Sequence, residues 1–159
     1  MEQSTTSRAR ALRTQLVRIA LEWEEYSGVG PAITPAISEL DAAFLVGMSE
    51  DQWCADGKCR TAVSRGNDFT WEGVRYQVTA NRPSSKKGSA VTWVSLKQEK
   101  KREFEWDRLV WILYDRFYVI QEAWEFEVND YRELFTNLKR LSPNSMRRGR
   151  CLVAPTFSN

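Results

Sequence analysis

Leu12, Leu16, Ile19, Ala20 and Trp23 recur at i, i+4, i+7, i+8 and i+11, the period of an amphipathic helix that runs to about Tyr26. Residues 28–31, with two glycines and a proline, end it. Thr34 as an N-cap, with Pro35 at the first helical position, predicts a second helix reaching about Val46. Residues 49–53 add a short helical turn, and Asp56-Gly57 reads as a chain turn. The period then shortens to two. Residues 68–71 and 74–80 predict the arms of a hairpin closed by Glu72-Gly73, with Val74, Tyr76 and Val78 alternating with Arg75, Gln77 and Thr79. A polar, basic loop follows over 82–89, then a strand over 90–96. A clearer pair spans 109–114 and 118–126 about a turn at Asp115-Arg116, rich in β-branched and aromatic residues. Helical spacing returns over 130–141 through Tyr131, Leu134, Phe135 and Leu138. The order α-α-β-β-β-β-β-α predicts a mixed α/β (α+β) fold, a sheet with helices packed on it. Residues 1–30 are expected as an N-terminal helix on the domain, 31–150 as its core and 151–159 as a tail.

A chain of 159 residues, 42% hydrophobic and 28% charged, suffices for one core without staples. Apolar runs such as 109–113 are strand-sized, far below the roughly 18 residues of a membrane span. Arg8, Arg10 and Arg13 precede no uninterrupted apolar stretch, so no secretory signal is expected and the location expected is cytoplasmic. Three cysteines argue against a disulfide framework, and Cys54 and Cys59 are spaced too widely for a zinc knuckle. The absence of histidine removes Ser-His-Asp and Cys-His schemes. Catalysis would have to use carboxylates, lysine, tyrosine or a bound metal.

The net charge of +2 is unevenly distributed. Seven basic residues and one acid lie in 82–102; five basic residues and no acid lie in 139–150. Acids concentrate in 22–56 and 103–130. Such segregation suits a polyanion-binding face beside an acidic centre, and equally suits two solvated basic loops. Asp68 and Gln77 sit on the two hairpin arms with Glu39 on the helix upstream. Acidic and amide oxygens on neighbouring strands, with a helix carboxylate beside them, are a donor set for a hard cation.

This order of a helix glutamate, an aspartate-bearing hairpin and a (Asp/Glu/Gln)-x-Lys strand resembles the PD-(D/E)xK, restriction-endonuclease-like nuclease superfamily. The wording is closer still to a group of small uncharacterised bacterial and phage proteins of that fold. The stretches that carry the resemblance are Ser38-Glu39-Leu40-Asp41-Ala42-Ala43, Arg75-Tyr76-Gln77-Val78-Thr79-Ala80-Asn81-Arg82-Pro83-Ser84, Trp106-Asp107-Arg108-Leu109-Val110-Trp111-Ile112-Leu113-Tyr114-Asp115, Gln121-Glu122-Ala123-Trp124 and Arg140-Leu141-Ser142-Pro143. Together they span roughly residues 35–150, and the run around 76–84 is the most specific.

The resemblance implies a restriction-endonuclease-like mixed sheet and a divalent-metal-dependent DNA endonuclease, with a role in phage or mobile-element conflict. Glu39, Asp68 and Gln77 become its catalytic and metal-binding residues. Magnesium or manganese would be held by Asp68, Glu39 and either the Gln77 side chain or the Val78 carbonyl. Arg82, Lys86, Lys87, Arg147 and Arg148 become contacts to DNA, and a homodimer fits a double-strand cut. One departure matters: the motif lysine, which activates water and stabilises charge on the phosphate, is here Thr79. Arg82, Lys86 and Lys87 are the nearest substitutes in sequence. The alternative is a catalytically degenerate module of the same fold that binds DNA or a protein partner, and a protein inhibitor borrowing the fold is a third expectation. Trp106, Trp111 and Trp124 are expected in the core, and Trp93, beside the basic loop, as a base-stacking side chain.

Overall fold

The computed structural model describes residues 7–60, 66–84, 89–94, 104–138 and 140–156, with the backbone alone at 135–137. Helix α1 (Arg8–Ser27) starts where the Ser7 hydroxyl accepts the Arg10 N–H and stops at Gly28 in the left-handed region. Of the stripe that marks this helix in the sequence, Ala20 is buried, whereas Leu12, Leu16, Ile19 and Trp23 are exposed. Val17 and Leu21 make the inward contact instead.

Helix α2 (Thr34–Val46) has Pro35 in its first turn as expected, but its N-cap is Ile33 and not Thr34, so Pro35 is the second helical residue. Helix α3 (Glu50–Cys59) corrects the sequence reading, because Asp56-Gly57 lies inside it and not in a turn. Interior glycine weakens a helix by about 1 kcal/mol, yet its ends are well held. Ser49 and Gln52 form a reciprocal capping box, Glu50 and Asp51 lie at the positive end of the dipole, and Lys58 at the negative end.

Strand β1 (Phe69–Trp71) and strand β2 (Val74–Asn81) form the expected hairpin. Glu72 and Gly73 both take positive φ, 50° and 76°, the pattern of a turn whose twist matches that of the strands it joins. Strand β3 (Arg108–Tyr114) then lies parallel to β2, with Val78 beside Val110. Strand β4 (Ile120–Glu127) returns antiparallel to β3, about a turn in which Asp115 Oδ1 accepts the Phe117 and Val119 N–H groups. Helix α4 (Val128–Asn137) and the single turn α5 (Pro143–Met146) precede strand β5 (Arg150–Val153), which pairs antiparallel with β4. The sheet order is β1-β2-β3-β4-β5.

Two strand expectations change. Residues 90–93 form no strand, and Val94 makes one bridge to Leu141; residues 95 and 96 lie outside the described set. β2 pairs directly with β3, so no strand lies between them, and Val94 packs on the face of Leu109 and Trp111. Conversely, β5 falls in a stretch expected to be loop and tail. Gly149 makes its approach feasible, since a Cβ there would stand 2.7 Å from the Glu125 carbonyl oxygen.

Both faces of the sheet are covered, which is why β3 reads as a continuous apolar run. On one face Tyr76, Val110, Ile112 and Tyr114 pack with Ile37, Ala42 and Ala43 of α2. On the other, Leu109, Trp111 and Phe126 pack with Val94, Trp106, Tyr131, Leu134 and Leu141. Trp106 and Trp111 are buried as expected, with Trp124 partly so. The result is a mixed α/β fold with a central five-stranded sheet flanked by helices. Among the described residues no helix is long and apolar enough to cross a membrane. All three cysteines are free and exposed.

Candidate functional site: the Asp68–Gln77 hairpin and the basic segments

Pairing of Phe69 with Tyr76 sets Asp68 against Gln77 at the open end of the hairpin. The Asp68 N–H donates to the Tyr76 carbonyl at 2.7 Å, and there the ladder stops. Its carboxylate continues it in another form. Asp68 Oδ2 accepts both the Val78 N–H and Gln77 Nε2, each at 2.6 Å. The carboxylate thus satisfies an edge N–H of β2 that β1 is too short to reach. The sequence expectation that Asp68 and Gln77 meet across the hairpin agrees with this geometry.

Glu39 arrives differently. Strand alternation sends Gln77 and Thr79 to the face of Leu109 and Trp111, whereas α2 covers the opposite face. Glu39 is linked to the hairpin through Arg60, the residue that caps α3. The Arg60 Nη1 group lies 3.9 Å from Glu39 Oε2 and donates to the Asp68 carbonyl. Its Nε faces Asp56 Oδ2 at 2.8 Å, and its Cζ sits 4.8 Å above the Trp53 ring. Four neighbours therefore fix this guanidinium between helix and hairpin. Sequence reasoning missed Arg60, having sought the replacement cation in the loop after β2. The signal was present: Asp56 and Arg60 are four apart, the helical ion-pair spacing, once Asp56-Gly57 is not taken for a turn.

A divalent ion at this place fits poorly. Among the described residues no three side chains from His, Cys, Asp and Glu group as metal ligands. One Asp68 oxygen carries two N–H donors, Gln77 turns its amide nitrogen toward that oxygen, and a guanidinium already lies between Glu39 and Asp68. A cation placed there would meet donors and a fixed positive charge.

The residues expected at DNA phosphates divide. Arg82 is turned inward: it pairs with Glu24 Oε2 at 2.8 Å, donates to the Arg116 carbonyl and stacks 4.3 Å over Tyr118. Arg147 binds buried Glu122 through two nitrogens, at 2.8 and 2.9 Å, and donates to Asn144 Oδ1 at 2.5 Å. Burial pushes the Glu122 pKa up, but the Arg147 guanidinium and the Trp124 indole N–H more than offset this and hold it below the usual carboxylate range. In the same way Arg150, at 2.6 Å, and Arg108, at 3.7 Å, face buried Glu125. Arg148 is exposed. Lys86, Lys87 and Lys139 lie outside the described residues.

The two basic segments nevertheless meet. Val94 N–H donates to the Leu141 carbonyl at 2.9 Å, and the Arg140 guanidinium lies 4.9 Å over the ring of Trp93, which is 53% exposed. One bridge and one cation–aromatic stack thus join 82–102 to 139–150. Trp93, the base-stacking candidate, is thus exposed with an arginine already on its face.

Compared with known proteins, the chain matches no family model and no curated protein sequence.

Proposed function

We propose that this chain is a catalytically degenerate, restriction-endonuclease-like protein that binds DNA through its joined basic segments. The observation that carries the proposal is the Val94–Leu141 bridge with Arg140 stacked on Trp93, which ties the second basic stretch to the first through residues 93–94 and 140–141. Phosphates recognise clustered lysine and arginine through charge, and a guanidinium on an indole offers a flat face to an unstacked base. The degenerate hairpin is supported by Thr79 at the lysine position and by Arg60 between Glu39 and Asp68. In this proposal Arg148, Lys86 and Lys87 contact phosphate, whereas Arg82 and Arg147 hold the fold.

Fluorescence anisotropy with a labelled DNA duplex and a single strand, over a series of salt concentrations, tests it. The expected affinity falls steeply with salt, and the triple change Lys86→Ala, Lys87→Ala, Arg148→Ala lowers the slope of log K against log salt by about 2 to 3. Binding that is absent at low salt, or a slope unchanged in the variant, removes the proposal.

A second proposal, the metal-dependent endonuclease, is favoured by one observation: the Asp68 and Gln77 side chains meet at 2.6 Å, and Glu39 is tied to the same hairpin through Arg60. It predicts plasmid cleavage with magnesium or manganese that disappears in Asp68→Ala.

A further inference from the structure

The outward face of α1 is unusual for a helix that closes a domain. Leu12, Leu16, Ile19, Trp23 and Tyr26 follow one another at steps of 4, 3, 4 and 3, the alternation that defines a helix–helix seam. All five are exposed, Trp23 to 58% and Tyr26 to 91%. The inward face is a different set: Val17, Ala20 and Leu21 pack on the core, Arg13 binds Asp41 and Glu24 binds Arg82. The helix is therefore two-sided, one side docked and the other apolar in a coiled-coil period.

Charge along the same helix says what covers that side. Arg8, Arg10 and Arg13 occupy its first half and Glu22, Glu24 and Glu25 its second, with Arg18 near the middle. With Arg13 and Glu24 used internally, Arg8 and Arg10 remain exposed at one end and Glu22 and Glu25 at the other, while mid-helix Arg18 lies 3.7 Å from Glu22. Two such helices repel when parallel and attract when antiparallel. An antiparallel pair with Leu16 opposite Ile19 also sets Leu12 opposite the partner's Trp23. Beside Leu12 and Leu16 lies an open groove of about 320 Å³, floored by Ile37, Leu40 and Trp53 and large enough for an indole.

We propose that the chain forms a two-fold homodimer through an antiparallel pairing of α1, with each Trp23 seated in the groove beside the other copy's Leu12. The contact is self-complementary, so it closes at two copies and leaves the hairpin and the basic segments outside it. Large aromatic side chains entering a pocket carry most of the affinity of such contacts.

Sedimentation velocity of the full chain from about 1 to 100 μM reads the outcome without DNA. The expected result is a monomer–dimer equilibrium. Trp23→Glu and Ile19→Glu each weaken it by roughly 100-fold or more, while circular dichroism stays unchanged and the melting temperature matches the native chain's at concentrations where the native chain is monomeric, because both side chains are exposed. Glu22→Lys with Glu25→Lys weakens it about tenfold at low salt, since basic ends then face basic ends; a parallel pair would not register that change. A chain that stays monomeric throughout, or a dimer that survives Trp23→Glu, overturns the proposal. A dimer indifferent to the charge reversal overturns the antiparallel arrangement.

Discussion

Replacing Arg147 by alanine strands a buried carboxylate, and the penalty carries a pH signature. Glu122 is 2% exposed, and its oxygens accept Arg147 Nη2 at 2.8 Å, Arg147 Nε at 2.9 Å and Trp124 Nε1 at 2.8 Å. Burial raises its pKa, and these donors bring it below the ordinary value. A carboxylate lowered in the folded state stabilises the protein above its unfolded pKa, near 4.3, and this is lost as pH falls through the folded value. Without Arg147 the balance inverts: burial outweighs the single indole donor and the folded pKa rises above the unfolded one. Glu122 then destabilises at neutral pH and ceases to do so below roughly pH 4.

Breaking one side of a buried pair costs about 3–5 kcal/mol, and the 35% exposure of the Arg147 side chain discounts this to about 2–3 kcal/mol. Urea unfolding of the native chain and Arg147→Ala at about pH 7.5 and pH 4 measures it. The expected difference is about 2–3 kcal/mol at the higher pH and less than half of that at the lower. The double change Glu122→Gln, Arg147→Met should recover most of the loss. A penalty identical at both pH values refutes the assignment of Arg147 to Glu122. It would also return this arginine to the list of candidate phosphate contacts.

Two further outcomes concern the frame of the site. Tyr114 donates to Asp41 Oδ2 at 2.7 Å beside the bidentate Arg13, and burial with Asp41 pushes the phenol pKa well up. Tyr114→Phe should cost about 1–2 kcal/mol in chemical denaturation and leave the circular dichroism spectrum unchanged. Asp107 is held down to about 2 by the Arg75 side chain and backbone N–H. Its stabilisation is present above an unfolded pKa near 3.9 and is lost as pH falls toward 2, so Asp107→Asn should flatten the melting-temperature curve between about pH 4 and 2.

What the sequence made legible was local. The hairpin could be read because Val74, Tyr76 and Val78 alternate with polar residues and Glu72-Gly73 closes a two-residue turn. The β3–β4 pair was equally plain from its aromatic and β-branched run. Helix α3 was hidden because Asp56-Gly57 imitates a turn, and what overrides it is remote: Arg60 is tied to Asp56, Trp53, Glu39 and the Asp68 carbonyl. Strand β5 was hidden for a similar reason. Arg147 and Arg150 look like a basic tail until Glu122 and Glu125, some 25 residues earlier, are seen to be their partners.

The candidate site divides along the same line. Asp68 and Gln77 are neighbours through hairpin register, which sequence spacing encodes. Glu39 reaches them through an arginine from a third element, which spacing does not encode. The basic segments show the converse, since charge runs announce themselves but not which arginines are consumed by buried glutamates.

The most direct measurement is supercoiled-plasmid cleavage by the native chain and by Asp68→Ala, with magnesium and with manganese, at protein in excess over DNA. With Arg60 fixed between Glu39 and Asp68 and threonine at position 79, the expectation is that neither protein nicks or linearises the plasmid while both retard it at low salt. Cleavage by the native chain with either metal, lost in Asp68→Ala, would contradict the degenerate-site account and establish the hairpin as a nuclease centre.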